Sequence, residues 1–210
     1  MSSPQRADRA ADSPERAVPS LRERKKAKTR RAIQEHALRL FAEQGYEATT
    51  VEQIAEAAEV SPSTFFRYFP SKEDLIIQDD YDPLLMAAVR AQPPELPPLA
   101  AIRRGVRAAF AQVPEAEVEE VRVRIGLMMS IPAVRARSLD NLLTTVDLLA
   151  QVIAERTGRD RTSPAVRTLA GAVLGALLPA LYSWGTADGP RSLPDVVDEA
   201  LALLESGLPV

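Results

Sequence analysis

A chain of 210 residues with a formal net charge of −3 and no cysteine is long enough for one compact unit plus a small one, or for a single large helical unit. The missing cysteines exclude disulfides and thiolate chemistry and suit a reducing compartment, so the expected location is the cytoplasm. Charge is unevenly spread: residues 1–31 hold ten Lys/Arg against four Asp/Glu, a surplus of +6, and the remainder carries −9. A basic leader on an acidic body turns one end of a molecule towards phosphate.

Residues 1–20 are rich in Ser, Pro, Ala and Arg without apolar periodicity, and a disordered tail is expected there. They lack the apolar core of a secretory signal, and no run in the chain is expected to span a membrane. Leu21–Arg31, LRERKKAKTRR, reads either as a solvated helix start or as an arm reaching phosphates or a minor groove, with Arg30 among its cations. Thr29 to Gln44 is then an amphipathic helix with Ile33, Ala37, Leu40 and Phe41 on one stripe and Gly45 as its stop. His36, the one histidine, stands among polar positions with neither a second His nor a Cys, so a surface role is expected and no metal.

Two short helices joined by a tight turn follow. Thr50 opens a Thr-x-x-Gln capping box with Gln53, and Val51, Ile54, Ala55 and Ala58 recur at helical spacing. Glu59-Val60 makes the turn. Ser61 is a good N-cap and Pro62 occupies the first helical position, where its missing N–H costs nothing. Phe65 and Phe69, four apart, give the second helix an apolar face, leaving Ser63, Thr64, Arg67 and Tyr68 on the others. Pro70 ends it, and Ser71 recaps with Asp74. Small polar side chains at the start of a helix braced by another are how a helix-turn-helix meets a major groove.

From about Lys28 to Leu75, in LFAEQGYEATTVEQIA and then VSPSTFFRYFPSKEDL, the chain resembles the TetR family of bacterial transcriptional repressors. Glu59 departs from the pattern, since the family usually places Gly there. At φ > 0 a Glu costs on the order of 1 kcal/mol. The resemblance implies a DNA-reading head, a helical ligand-sensing body and a homodimer built on the last two helices. The tract FFRYFPSKEDLIIQDDYDPL is also similar to a subgroup whose bodies bind acyl-CoA-like or other elongated apolar ligands.

Beyond Gln78, Asp79-Asp80-Tyr81-Asp82 meets Pro83, where a break or a hinge between head and body is expected. Pro93, Pro94, Pro97 and Pro98 read as a stiff linker. Helical segments follow over Leu99–Gln112, Ala116–Ser130, Val134–Arg156, Pro164–Trp184 and Leu193–Leu204. In the third of these, Leu139, Leu142, Leu143, Val146 and Leu149 fall on one side, and Gly158 stops it. Pro164–Trp184 is apolar all round and needs burial on both sides, either as a helix central within one subunit or with one side in its own subunit and the other against a twofold partner, the reading favoured. Gly171, Gly175, Leu178, Tyr182, Leu201 and Leu204 are the expected interface residues.

No nucleotide, phosphate, hydrolase or metal motif occurs, and an enzyme is not expected. The expected architecture is all-α: a tail (1–20), a three-helix helix-turn-helix head with its basic arm (21–75), and a helical ligand-sensing and dimerisation body (76–210). The function this implies is a homodimeric, ligand-responsive regulator on a near-palindromic operator. A rival reading is a helical protein-interaction module whose helix-turn-helix reads no DNA. Ser63, Thr64 and Arg67 are the candidates for groove contacts at the start opened by Ser61 and Pro62. Thr50, Tyr68 and Lys72 are the candidates for phosphate. Arg67 suits guanine or phosphate. For the small-molecule effector the candidates are Arg103, Arg107 and Arg124 for an anionic head group and Leu127, Met128 and Tyr182 for an apolar part; no cofactor is expected.

Overall fold

The computed structural model describes residues 20–78, 81–186 and 191–209, and among these every regular element is a helix. The expected tail, up to residue 19, and Asp79-Asp80 of the expected break lie outside the described residues.

Helix α1 (Leu21–Gln44) begins eight residues earlier than apolar periodicity implies, because Ser20 and Glu23 close a capping box. Ser20 Oγ accepts the Glu23 N–H at 3.2 Å and Glu23 Oε2 accepts the Ser20 N–H at 2.7 Å. Thr29 is mid-helix, its hydroxyl donating to the Lys25 carbonyl. Leu21 to Lys28 are all exposed, so the basic arm is a rigid helical extension. Helices α2 (Val51–Ala57), α3 (Pro62–Tyr68) and α4 (Asp74–Ile77) complete the head. Its core is Ile33, Ala37, Phe41, Tyr46, Ile54, Phe65 and Phe69, and it runs on without interruption into Leu75, Ile76, Ile131 and Val134.

Helix α5 (Tyr81–Arg90) starts before Pro83, so Asp82 and Pro83 sit inside its first turn, where proline lacks no needed donor. It folds back on α6 (Pro98–Phe110) through the proline-rich segment, which is a pinned loop and not a linker. Arg156 donates to the carbonyls of Gln92, Pro93 and Leu96 there. The two helices approach so closely at Gly105 that a Cβ there would lie 2.7 Å from Val89 Cα.

Helices α7 (Glu115–Ser130), α8 (Pro132–Thr157), α9 (Pro164–Thr186) and α10 (Leu193–Glu205) finish the body. Gly158 stops α8 in the left-handed region at φ 66°, as expected. The expected leucine stripe on α8 does not hold: Leu139 and Leu143 are 60% and 54% exposed. The helix instead changes its buried side along its length, Val134 facing the head and Leu149, Ala150, Val152 and Ile153 the body.

The expectation that no segment could span a membrane is corrected on length and composition, since α9 has 23 residues and a mean hydropathy of 1.5 over its most apolar window. It packs on α7, α8 and α10. Only 17% of that window is buried within the subunit, through Val166, Ala170 and Val173, so its outward face remains open.

Candidate nucleic-acid interface

The α2–α3 unit is built by local rules. Thr50 Oγ1 accepts the Gln53 N–H at 3.2 Å, Gln53 Oε1 accepts the Thr50 N–H at 2.9 Å, and Gln44 Nε2 braces Gln53 from α1 at 3.0 Å. Glu59 carries the turn at φ 54°, the left-handed conformation that favours glycine. Ser61 caps α3, accepting the Thr64 N–H at 3.1 Å, with Pro62 first in the helix. Phe65 and Phe69, both fully buried, fix which face of α3 turns inward.

The opposite face is the candidate reading surface. Ser61, Pro62, Ser63 and Arg67 are exposed and Thr64 and Tyr68 half-buried beside them. The Arg67 guanidinium lies 5.5 Å from the Tyr68 ring centroid, a stacking that extends it along the outer face. Thr50 is exposed at the start of α2. Sequence reasoning passed over Phe66, which is 51% exposed on this face, packed edge-on against Phe65. One position on from Phe65 is a turn of about 100° about the helix, and that angle was enough to place it outward.

Two expected contacts have other work. Arg30 is half-buried, its guanidinium 4.7 Å from the Phe69 ring centroid and both terminal nitrogens 3.2 Å from Gln78 Oε1. It thus ties α1 to the end of α4. The Lys72 ammonium donates to the carbonyls of Tyr46 and Thr49 at 2.8 and 3.0 Å and sits 4.0 Å from the Tyr46 ring centroid. Two of its three donors therefore hold the α1–α2 loop. Burial, and then the hydrogen bond to Glu73, push the Tyr46 phenol up, so it stays a neutral donor. His36 is half-buried beside the Arg39 guanidinium at 3.0 Å.

The expected effector residues do not converge. Arg103 grips Asp198 through two nitrogens at 2.8 and 2.9 Å and reaches Glu205, while Arg107 reaches Asp198 at 3.1 Å. Both therefore staple α6 to α10. Arg124 is buried, donating to the Ile76 carbonyl at 3.3 Å, and Leu127 and Met128 pack on the head core. Tyr182 is 49% exposed on the outward face of α9.

That face does gather most of the expected interface residues. Gly171, Gly175 and Tyr182 are exposed and Leu178 half-buried. A groove of about 930 Å³ runs between α9 and α10, lined by Gly175, Ala176, Pro179, Ala200, Leu203 and Leu204 among others. Leu201 is corrected: it is fully buried in its own subunit's core, one position round from the groove.

An all-helical chain with a capped helix-turn-helix, a polar outer face on its second helix and a basic leading helix is a helix-turn-helix DNA-binding protein. The chain belongs to the TetR family of bacterial regulatory proteins. Residues 33–78 match the family described as "Bacterial regulatory proteins, tetR family", and residues 96–209 match the MftR C-terminal domain. It is similar to the HTH-type transcriptional regulator TcmR of Streptomyces glaucescens, with 40% identity over 149 residues, 68% of this chain and 66% of that protein. The match thus spans just under two thirds of TcmR. MftR of Mycobacterium tuberculosis is 28% identical over 88% of this chain and 93% of its own length. FadR of Thermus thermophilus, a TetR-family repressor solved in complex with lauroyl-CoA, is 26% identical with a TM-score of 0.53, covering 86% of this chain and 95% of its own. The chain is accordingly a DNA-binding transcriptional regulator and not an enzyme.

Proposed function

We propose that this regulator is a homodimeric, effector-responsive repressor that sets α3 of each subunit in successive major grooves of a near-palindromic operator. The observation that carries this reading is the division of α3. Phe65 and Phe69 are fully buried, while Ser63, Phe66 and Arg67 stand outward within two helical turns of its capped start. Ser63, Thr64 and Arg67 read base edges, Phe66 offers an apolar contact to a thymine methyl, and Thr50, Tyr68 and the third donor of Lys72 meet phosphates. The exposed cations Arg22, Lys25, Lys26 and Lys28 on α1 add sequence-independent attraction. As a helix, that stretch lies along phosphates and does not thread a minor groove.

The division of labour is a head over 21–75 and a body over 76–210, with two bodies joined through α9 and α10. The apolar groove and the open face of α9 support that pairing, because an isolated subunit would leave them in water. The effector is an elongated, amphipathic, acyl-CoA-like molecule, a reading that rests on the likeness to the FadR solved with lauroyl-CoA.

The test is selection of bound duplexes from a random pool, followed by anisotropy titration of the selected duplex with and without lauroyl-CoA. A twofold-symmetric consensus, bound with a steep salt dependence and released by the thioester, is the expected result. Failure to enrich any duplex favours the rival reading, a helical interaction module.

A further inference from the structure

Directly after the recognition helix comes a turn, Ser71–Asp74, whose four side chains are all tied down. Lys72 holds the Tyr46 and Thr49 carbonyls, and the Tyr46 hydroxyl donates to Glu73 Oε1 at 2.9 Å. Ser71 Oγ donates to Asp74 Oδ2 at 2.7 Å. Three of the four thus lock the turn within the head, next to the loop that carries Thr50. The fourth faces the body. Asp74, its side chain only 9% exposed, receives Arg137 of α8, with Nη2 at 3.1 Å from Oδ2 and Nε at 3.4 Å from Oδ1.

We propose that Arg137 is a positioning residue for duplex recognition: through Asp74 and Ser71 it sets the orientation of α3 relative to the body. This rests on the reading that α3 enters a groove. Among the described residues the other ties between head and body define that orientation less sharply. Arg31–Glu117 joins α1 to α7 through a carboxylate 29% exposed, against 9% for Asp74, so water screens that pair more. Arg124 holds a carbonyl of α4, beyond the turn. Ile131 and Val134, with Leu127 and Met128, pack against the head core and hold the two together through contacts less angle-specific than a forked ion pair. A planar guanidinium set fork-on on a carboxylate fixes angle as well as distance. Because that carboxylate is buried, losing the cation leaves an uncompensated charge that is relieved when the turn opens to water. Arg137 itself is half-exposed, so its substitution leaves no cavity in the core.

The chain has no cysteine, which allows clean double labelling. Glu56→Cys on α2 and Arg104→Cys on α6, both exposed positions, carry spin labels in the full chain. The labelled chain is diluted with unlabelled chain so that double electron–electron resonance reads only distances within one subunit. The expected result is a narrow distribution for the parent and for the control Arg31→Gln, and a broad one for Arg137→Gln. If the competent orientation falls to about a tenth of the population in each head, affinity of the dimer for the selected duplex falls about a hundredfold, because both heads must be set at once, and Arg137→Lys recovers part of it. An R137Q distribution identical to the parent's, equal broadening by R31Q, or broadening with undiminished duplex affinity overturns the proposal. Should R137Q fail to fold by circular dichroism, R137K is read by the same criteria. Absence of duplex binding by the parent itself sinks the groove reading, which the distances keep separate from the joint.

Discussion

At the residue scale, Glu59 and Arg67 show how one position answers to backbone and the other to ligand. Glu59 occupies φ 54° in the turn between α2 and α3 without a glycine's freedom. Glu59→Gly is expected to raise stability by about 1 kcal/mol, the sterically strained left-handed conformation being relieved at the expense of a more flexible unfolded chain. Urea denaturation at fixed protein concentration checks it, and an unchanged or lower midpoint refutes the strain argument. Arg67 is exposed opposite the buried Phe65 and Phe69 and touches no acidic partner among the described residues. Arg67→Ala should therefore leave stability within about 0.5 kcal/mol. If it reads guanine, the substitution relaxes base preference at one position in each half-site by about 1–3 kcal/mol. Affinities across single-base operator variants decide this; a preference profile of unchanged shape at weaker binding makes it a phosphate contact.

At the scale of elements, the α6–α10 contact carries a pH dependence. Arg103 pairs with Asp198 and Glu205 across it, and Arg107 adds a second guanidinium. The hydrogen bond from Arg103 holds the Asp198 carboxyl below its ordinary range. A carboxyl depressed by folding adds stability that is whole above its unfolded value, about pH 4, and is lost as the pH falls through the folded value. The parent should thus lose this contribution only in acid. Asp198→Asn should lower stability at pH 7 and flatten its dependence below about pH 4. Thermal melts followed by the fluorescence of Trp184, the only tryptophan, between pH 3 and pH 7 check both signs. Equal acid sensitivity in the variant would show that other carboxylates dominate.

For the whole molecule the decisive question is what covers α9. A Cβ added at Gly175 meets nothing within 4 Å inside the subunit. The exposed Gly175 thus has room for a Cβ in the monomer, and Gly175→Leu gains helix propensity of roughly 0.8–1 kcal/mol there. In a dimer packed through this face the same leucine intrudes between two closely approaching helices. Sedimentation should then report monomers that melt no earlier than the parent subunit, with operator affinity largely lost because two half-sites are no longer held together. A stable Gly175→Leu dimer would place the interface elsewhere.

What the sequence determined by itself was much of what neighbours within about four residues govern, where capping and periodicity act, though the Ser20–Glu23 box at the start of α1 went unread. The Thr50–Gln53 box, the Ser61–Pro62 start, the Gly158 stop and the inward Phe65 and Phe69 all stand in the structure as the spacing implies. The expected burial of α9 on both sides is met within the subunit on one side only, its small-residue face remaining open. What only the tertiary structure decided was the occupation of the long polar side chains. Arg30 meets Gln78, Arg103 meets Asp198 and Arg137 meets Asp74, partners 48, 95 and 63 residues away. A cation's type and position say that it needs a partner or water, not which one; that is settled by where the chain brings a carboxylate, a carbonyl or a ring. Leu127, Met128 and Leu201 obey the same limit. Apolar burial has no direction along the chain, so whether a leucine faces the head, its own core or a partner depends on how the helices are stacked.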